Sequence, residues 1–528
     1  MLRKSILFIT RQFTKTSFPN VTFNSKNTSY KQFFFKDYSF SSFFRTFAND
    51  MTSLEKTYAA TAAFVESIPK SQRKRYGQFF TSRKSAEFMA GLFSLQKEKT
   101  RLSILDAGAG TGLLSIALVE HLRNEGYDGQ LFVCCYETDN KVLPVLTANL
   151  NELAKRYDVT YQIITDNFLL EEVQEERYNI VIGNPPYLKI PKDAPEAQAM
   201  PEVCYGAPNL YFLFWAKSIQ QLCPNGELVY IIPRSWTSGA YFARFRNFLF
   251  RNCVITDIHI FDSREKVFDG ESVLQETMII KVRKTVTRPE NVSMTASSSS
   301  DFTDLRHYEV AYGAVVAPNK YVFLVTSPEE SQVLTMLNRL PDTLQSVQMK
   351  MHTGIIVDFR TREVLRNRAV KGAVPLFYSH HIRNGRVVWP AGEDGEYMVT
   401  DRTGFLQENG NYVFVKRFTS KEEHRRLQCG ILLATDYPQY EHIGTQNKIN
   451  FIKCATAEEA YGIYTLLNST LYDSYYRILN GSTQVNSTEI NAMPVPSHDT
   501  IKEMGRQLMA QNDLSEAACN NIIRQWIT

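Results

Sequence analysis

The chain lacks three features that would place it in a special class of protein. None of its eight cysteines stands in a C-x-x-C pair, so we interpret them as reduced, mostly buried thiols of an intracellular protein. It has no apolar run of about 18 residues, so neither a membrane-spanning helix nor a membrane partner is predicted. The formal net charge is only +4, which excludes a strongly basic coat protein and requires any nucleic-acid surface to be a local patch.

The chain also lacks an evident arrangement of metal ligands. Two of its nine histidines, His380 and His381, are adjacent, but no cysteine or carboxylate stands at ligand spacing to this pair. We therefore interpret the pair as part of a polar strand or loop and predict no metal site.

The amino-terminal 50 residues differ from the rest of a chain whose 528 residues suggest two or three domains. They are basic and rich in Ser, Asn and Phe, which is typical of a mitochondrial transit peptide. The alternative is a translated upstream region ahead of a true start at Met51, which we favour because the composition resembles AT-rich sequence read as protein. Either way we exclude residues 1–50 from the fold, and the favoured interpretation predicts a bacterial-type cytoplasmic protein.

The segment Ile180–Tyr187 carries the strongest local signal, because a short apolar run leads into Gly-Asn-Pro-Pro-Tyr. Pro185 and Pro186 fix φ and lack N–H donors, and they favour an extended Asn184 at the carboxyl end of a strand. The carbonyl oxygens of Asn184 and Pro185 then need partners outside the sheet, and Tyr187 supplies an aromatic face. Such a wall suits an amino group on a flat ring, and the alternative is an ordinary Asn-Pro turn.

A glycine-rich loop lies upstream of that segment. A predicted strand, 102–105, runs into Asp-Ala-Gly-Ala-Gly-Thr-Gly at 106–112, and a helix is predicted from 113 to 123. Gly108 and Gly110 would let the backbone approach a ligand closely at the end of a parallel strand, although a tight structural turn is the alternative. The spacing departs from the dinucleotide fingerprint G-x-G-x-x-G, so a nucleoside ligand other than a nicotinamide cofactor is favoured.

Two more predicted strands end in polar residues. Glu137 ends one of them and could accept hydrogen bonds from both ribose hydroxyls, with Asp139 as the alternative. Asp166 follows the next strand and could accept an adenine amino hydrogen, while Phe168 could stack on the ring. Four consecutive strands thus carry polar residues at their carboxyl ends, where an open, mainly parallel α/β sheet binds its ligand.

The predicted first domain covers residues 51–285, and a polar stretch at Ser297–Ser300 is interpreted as a loop or linker. Residues 286–528 show no catalytic constellation. They are basic and aromatic between 345 and 426, and amide and hydroxyl groups cluster at 445–450 and 480–486. Such groups contact phosphates and base edges, although each cluster alone is also typical of a solvated face.

The two motifs and their order resemble the gamma class of adenine-N6 DNA methyltransferases of type II restriction–modification systems. The resemblance rests on residues 106–112, on Asn184-Pro-Pro-Tyr187 and on the large carboxyl-terminal half. It implies a Rossmann-like α/β domain that binds S-adenosyl-L-methionine, followed by a mixed α+β target-recognition domain at 286–528. The stretch 484–496 resembles the carboxyl-terminal end of such a domain.

The resemblance also implies roles for single residues. The loop 77–82 lies where the gamma class has an additional cofactor-binding motif. The implied cofactor-binding residues are Gln78, Phe79, Thr81, Asp106, Gly108, Gly110, Glu137, Asp166 and Phe168. The implied catalytic residues are Asn184, Pro185, Pro186 and Tyr187, and Tyr187 and Phe268 are expected to stack on the substrate base. Two features depart from the family pattern: Ser82 replaces the usual proline, and an extra residue before Phe168 leaves either Asp166 or Asn167 as the adenine contact.

The implied reaction is methyl transfer to N6 of an adenine flipped out of double-stranded DNA. Asn184 and Pro185 would hold the two amino hydrogens and direct the nitrogen lone pair at the methyl group.

The implied partner is a separate cognate restriction endonuclease, and a monomer is expected. We also consider an amino-group methyltransferase acting on RNA or a protein glutamine, a fused restriction enzyme and a DNA-binding specificity protein with an inactive cofactor fold.

Overall fold

A nine-stranded sheet with strand order β3-β2-β1-β4-β5-β7-β6-β8-β9 forms the centre of the amino-terminal half. The computed structural model describes residues 52–69, 80–262, 277–420, 422–479 and 483–527, and all contacts below lie within Ser53–Thr528. The strands of this sheet are β1 (Arg101–Ala107), β2 (Gln130–Tyr136), β3 (Val159–Ile164), β4 (Tyr178–Gly183), β5 (Leu222–Pro233), β6 (Val254–Phe261), β7 (Thr277–Arg283), β8 (Asn291–Ser297) and β9 (Arg306–Ala311).

The first five strands run parallel to one another, and β7 enters antiparallel between β5 and β6. Parallel neighbours require crossover connections, which are usually helical. The helices of this half are α1 (Ser53–Ser67), α2 (Arg83–Gly91), α3 (Leu113–Asn124), α4 (Leu143–Tyr157), α5 (Pro195–Ala199), α6 (Leu210–Gln221), α7 (Ala243–Asn252), α8 (Tyr312–Val315) and α9 (Pro328–Leu337). The predicted α/β class is confirmed, and the carboxyl ends of β1 to β5 lie along one edge of the sheet.

The sheet continues beyond residue 285. Strand β8 pairs in parallel with β6, and β9 pairs antiparallel with β8. The expectation that Ser297 lies in a loop or linker is wrong, because this residue ends β8 and is fully buried. Buried apolar residues alternate along β8 with polar ones. The sequence carries this period of two, which is typical of a strand, and the interpretation as a polar loop or linker overlooks it.

The carboxyl-terminal half contains three smaller sheets, with orders β10-β22, β11-β21-β18-β19-β15-β14 and β12-β16-β13-β20-β17. Their strands are β10 (Asp342–Thr343), β11 (Met351–Thr353), β12 (Leu365–Arg366), β13 (Val374–Phe377), β14 (Ile382–Arg383), β15 (Arg386–Val387), β16 (Tyr397–Met398), β17 (Gln407–Glu408), β18 (Asn411–Lys416), β19 (Cys429–Leu432), β20 (His442–Thr445), β21 (Ile449–Cys454) and β22 (Pro494–Val495). Its helices are α10 (Ala457–Leu467), α11 (Thr470–Leu479), α12 (Ser487–Asn491), α13 (His498–Gln511) and α14 (Glu516–Trp526).

One apolar core runs through both halves. It takes in Leu54 at one end of the described chain and Ile527 at the other, and Phe323 packs edge-on against Tyr475 where the halves meet. Two small separate clusters lie under the strands between β11 and β21. Among the described helices, none is both long enough and apolar enough to span a membrane.

Candidate functional site

A cavity of about 560 Å³ opens at the carboxyl ends of β1, β2 and β4. Most of the residues predicted to be functional line it, namely Thr81, Gly108, Gly110, Glu137, Asp166, Phe168, Asn184 and Pro186. Three others, Asp106, Pro185 and Tyr187, lie outside its lining. The remaining three, Gln78, Phe79 and Phe268, lie outside the residues that the structure describes.

The glycine loop forms one rim of this cavity. Gly108 and Gly110 have φ values of +78° and +55°, which glycine adopts without the strain that a Cβ would cause. The N–H groups of Gly108 and Ala109 both donate to the Tyr136 carbonyl oxygen at 2.9 Å. The loop is therefore tied to the end of β2, and its backbone is available for close approach by a ligand.

Glu137 follows β2 and is almost fully buried in the cavity wall. One carboxylate oxygen accepts the N–H of Gly110 and the other accepts the N–H of Asp139, each at 2.8 Å. Burial raises the pKa of Glu137, and the two backbone donors oppose that effect. The side chain is thus held in one orientation and presents acceptor oxygens of the kind that bind vicinal hydroxyls.

Asp106 lies beneath the loop and is fully buried. The Ser115 hydroxyl donates to its Oδ2 at 2.7 Å, while its Oδ1 has no hydrogen-bond partner within the described chain. Burial raises the pKa of this carboxyl group to about 7. Asp106 therefore supports the loop from beneath, and its Oδ1 is an acceptor without a hydrogen-bond donor in the described chain.

The Asp166–Phe168 segment contributes three different surfaces. The Asp166 side chain is exposed at the cavity, and no hydrogen bond to it occurs among the described residues. The Asn167 amide is engaged on both sides: it donates to Glu196 at 2.9 Å and accepts from the N–H of Leu169 at 3.1 Å. The Phe168 ring is buried, and its centroid lies 4.9 Å from that of Tyr136 in an edge contact.

Asn184 lies immediately after β4, as its sequence predicts, and lines the same cavity. Its amide nitrogen donates to the Thr81 hydroxyl at 3.2 Å. Thr81 reaches this position because Ser82 caps α2, accepting the N–H of Ser85 at 3.1 Å. The contact to Thr81 anchors the amide group through its nitrogen.

Tyr187 is held from two directions. Its hydroxyl donates to the Ile231 carbonyl at 2.8 Å, and its ring contacts the Tyr211 ring edge-on at 6.3 Å between centroids. Burial raises the pKa of this phenol well above its ordinary value. The chain after Asn184 is thus fastened to the end of β5, and the ring is 8% exposed.

Phe80 and Thr61 are among the lining residues that sequence reasoning missed. A Cβ on Gly110 would lie 3.7 Å from the Phe80 ring, so this ring covers the glycine loop. The hydroxyls of Thr61 and Thr111 lie 2.6 Å apart, which brings α1 onto the same rim. Phe80 is adjacent to the predicted Phe79, whereas no local spacing in α1 indicates the position of Thr61.

The fold brings Glu396 to His380 and His381, although no carboxylate stands at ligand spacing to this pair in the sequence. Glu396 lies 2.6 Å from His381 and 3.4 Å from His380. The N–H of Tyr378 donates to His381 Nδ1, so Nε2 carries the proton that His381 donates to Glu396. Glu396 also accepts the N–H groups of Ala391 and Gly392. The two histidines and Glu396 thus bring three possible ligand atoms within 4.8 Å of one another, and in this structure His381 and Glu396 bond to each other. The absence of a metal site stays a prediction.

Comparison with known proteins gives consistent matches. The family model described as Eco57I restriction-modification methylase matches residues 86–268. Type II methyltransferase M.BsuBI of Bacillus subtilis is 34% identical over 481 residues, which cover 86% of this chain and 94% of that protein. Type II methyltransferase M.PstI of Providencia stuartii is 33% identical over 468 residues, covering 84% of this chain and 91% of that protein.

Two further likenesses are weaker, the first in sequence identity and the second in the length covered. The solved structure of the type IIL restriction–modification enzyme MmeI in complex with DNA superposes with a TM-score of 0.56 at 11% identity, covering 89% of this chain and 78% of that one. This likeness shows a shared fold. A ribosomal RNA small subunit methyltransferase A of Mesomycoplasma hyopneumoniae is 32% identical over 121 residues, which are 23% of this chain and 39% of that protein.

Proposed function

This chain belongs to the type II DNA methyltransferases of restriction–modification systems, and from that premise we propose that it methylates N6 of adenine in double-stranded DNA. The observation that carries the proposal is the position of Asn184, anchored by Thr81 at the wall of the cavity after β4. An amide oxygen and the neighbouring Pro185 carbonyl form the acceptor pair that an exocyclic amino group requires.

The proposed methyl donor is S-adenosyl-L-methionine, as expected for this family of methyltransferases. The 560 Å³ cavity has donors and acceptors suited to its nucleoside part. Glu137 would hold the ribose hydroxyls, Asp166 would accept the adenine amino hydrogen, and Phe168 and Phe80 would flank the ring. The cofactor supplies an electrophilic methyl group on a sulfonium. Asp106 supports the glycine loop from beneath, and its Oδ1 is an acceptor that forms no hydrogen bond within the described chain.

The contribution of the chain to the chemical step is orientation and electrostatics. The nitrogen lone pair of an adenine amino group is delocalised into the ring, which makes it a poor nucleophile. Asn184 Oδ1 and the Pro185 carbonyl oxygen would each accept one amino hydrogen. These two bonds would direct the lone pair toward the methyl group and stabilise the positive charge that develops on nitrogen. No side chain has to remove a proton before transfer.

The target base would reach these acceptors only after leaving the duplex, which costs a few kcal/mol. Contact with the Tyr187 ring is proposed to offset part of this cost, since stacking of a base on an aromatic ring is worth about 1–3 kcal/mol. Phe268 remains a predicted second stacking residue, outside the described part of the chain.

Residues 286–528 are proposed to read the DNA sequence, and the division near residue 285 remains part of this proposal. The matches to the two type II methyltransferases run through both halves, which favours DNA over the alternative substrates, RNA and protein glutamine. The ribosomal RNA methyltransferase match covers 23% of the chain. A separate restriction endonuclease, a monomeric state and a bacterial-type cytoplasmic location remain predictions.

The test is transfer of labelled methyl groups from S-adenosyl-L-methionine to duplex DNA, followed by sequencing for N6-methyladenine. We expect methylation within one short motif and its loss in Asn184→Ala. Asn151→Ala, an exposed asparagine on α4, serves as the matched control and should keep full activity. Protein that binds the cofactor and transfers nothing to DNA would contradict the proposal and point to RNA or protein as the substrate.

A further inference from the structure

A second cavity, of about 360 Å³, lies between the two halves of the chain. One wall is the segment that follows β5, and the other is formed by loops of the carboxyl-terminal half. The lining includes Ser235, Ser238 and Gly239 on the first wall, and Arg417, Asn486 and Glu489 on the second.

This cavity adjoins the Asn184–Tyr187 segment. The Tyr187 hydroxyl donates to Ile231 near the end of β5, and the first wall begins directly after that strand. The hydroxyls of Ser235 and Tyr211 lie 3.3 Å apart, and the Tyr211 ring contacts the Tyr187 ring. A group bound in the second cavity is therefore separated from the proposed base-binding segment by one layer of side chains.

A buried arginine fixes the first wall. The Arg246 guanidinium donates to the carbonyl oxygens of Trp236 at 3.0 Å, Ser238 at 2.6 Å and Gly239 at 2.8 Å. Arg246 is almost fully buried, so these bonds are shielded from competition by water. The wall is thus preorganised before any ligand arrives.

A buried carboxylate joins the two walls. Glu489 accepts a hydrogen bond from the Ser238 hydroxyl at 2.7 Å across the boundary between the halves. Within its own half it accepts from Tyr476 at 3.0 Å and from the Asn486 amide at 3.2 Å. Glu489 is 1% exposed, so the spacing of the walls depends on these bonds.

The cavity is suited to an anion. Arg417 is half-buried, and one of its guanidinium nitrogens donates to the Asn447 carbonyl at 3.0 Å. No carboxylate pairs with Arg417 among the described residues. The Glu489 charge is offset by two buried arginines, Arg246 and Arg426, which both interact with it electrostatically. The remaining lining offers hydroxyl and amide donors, the groups that accompany arginine at phosphate sites.

We propose that this cavity binds a phosphodiester group of the strand that carries the target adenine, with Arg417 as the cationic contact and Glu489 as the positioning residue. The inference rests on the proposed function, which supplies duplex DNA as the substrate. A phosphate held here would fix the backbone beside the flipped nucleotide and so place the base against Asn184.

The test uses the full chain and measures its affinity, at several salt concentrations, for unmethylated duplex DNA that contains the sequence motif the protein methylates. Neutralising one phosphate contributes about 0.9 to the slope of log K against log salt. Arg417→Ala should reduce the magnitude of the slope by that amount, and Arg417→Lys should retain it. Arg506→Ala removes an exposed arginine of α13 and should leave the slope unchanged. Cofactor affinity should be equal in all four proteins.

The positioning role is tested by Glu489→Gln against Glu227→Gln, since both carboxylates are 1% exposed. Glu227 pairs with Lys281 and Arg283 inside the large sheet. We expect Glu489→Gln to lower kcat/KM for DNA roughly tenfold at unchanged cofactor affinity, the scale of one hydrogen bond to a charged group. Glu227→Gln should leave kcat/KM unchanged.

An unchanged salt slope in Arg417→Ala, in a protein preparation whose wild type methylates DNA, would overturn this inference and leave the proposed function intact. A wild type that neither binds nor methylates DNA would overturn the proposed function and this inference with it.

Discussion

Asp106 is the residue whose ionisation the fold perturbs most clearly near neutral pH. Burial raises its pKa from 3.8 to about 7, so between these values the folded protein holds a proton that the unfolded chain has released. The associated stability is fully present below about pH 4 and is lost as pH rises to about 7. We expect a loss of up to about 4 kcal/mol in unfolding free energy over this range.

Asp106→Asn isolates that contribution, because the amide does not titrate. The difference in unfolding free energy between the wild type and Asp106→Asn, measured by urea titration from pH 4 to pH 8, should change steadily and then level off above about pH 7. Parallel curves for the two proteins would show that this carboxyl group titrates normally in the folded state.

Asp166 and Asn167 differ in what they already bind, and this suggests which of them contacts the cofactor adenine. Asp166→Ala should weaken cofactor affinity about tenfold, as expected for one hydrogen bond to a carboxylate, without changing the stability of the ligand-free protein. Asn167→Ala should instead destabilise the ligand-free protein by about 1 kcal/mol, because it removes the bonds to Glu196 and Leu169. Isothermal titration and thermal unfolding separate these effects, and the reverse ranking would assign the adenine contact to Asn167.

At the scale of elements, the amino-terminal helix α1 depends on a carboxylate from α3. Glu120 is buried and accepts the N–H groups of Ser53 at 2.7 Å and Leu54 at 3.3 Å, which caps the positive end of the α1 dipole. Glu120→Gln should destabilise this docking by about 1–2 kcal/mol. Hydrogen exchange in α1 should become roughly tenfold faster, and cofactor affinity should fall because Thr61 lines the cavity.

The control for α1 is Glu152→Gln, which breaks an exposed ion pair with Lys56 and should change stability by less than about 1 kcal/mol. Equal effects of the two substitutions on the exchange of α1 amides would mean that Glu120 does not anchor the helix.

The elements show which parts of the fold are predictable from sequence. Strands such as β4 are predictable because an apolar run ends at a proline-containing turn, and their shared edge then predicts that Glu137, Asp166 and Asn184 meet. Strand β8 also carries its signal, a strict alternation of polar and apolar residues, which an interpretation based on the polarity of the segment overlooks. The position of Thr61 depends on Glu120, and the surroundings of His381 depend on Glu396. Such contacts are set by packing between distant segments and leave no local pattern.

At the scale of the molecule, one apolar core links the predicted domains. Unfolding of one half would expose the apolar residues of the other half that pack against it. We therefore expect a single calorimetric unfolding transition. Cofactor at 100 times its Kd should stabilise the whole by about 2.7 kcal/mol. Two transitions, of which only one shifts with cofactor, would show that the halves unfold independently.

The two small apolar clusters draw their buried residues only from within 356–451. Strand β18 shows how they relate to the main core, because Tyr412 and Phe414 enter a small cluster while Val413 and Val415 enter the main one. Genetic recombination that exchanges residues 351–454 moves both small apolar clusters together with the segment. The new segment then has to fit the host protein only at the face that packs on the main core. Recombination at residue 286 would split a shared interior. If the proposed function holds, new target specificities in this lineage should arise by transplanting that internal segment between relatives, while helices α10 to α14 stay with the host enzyme.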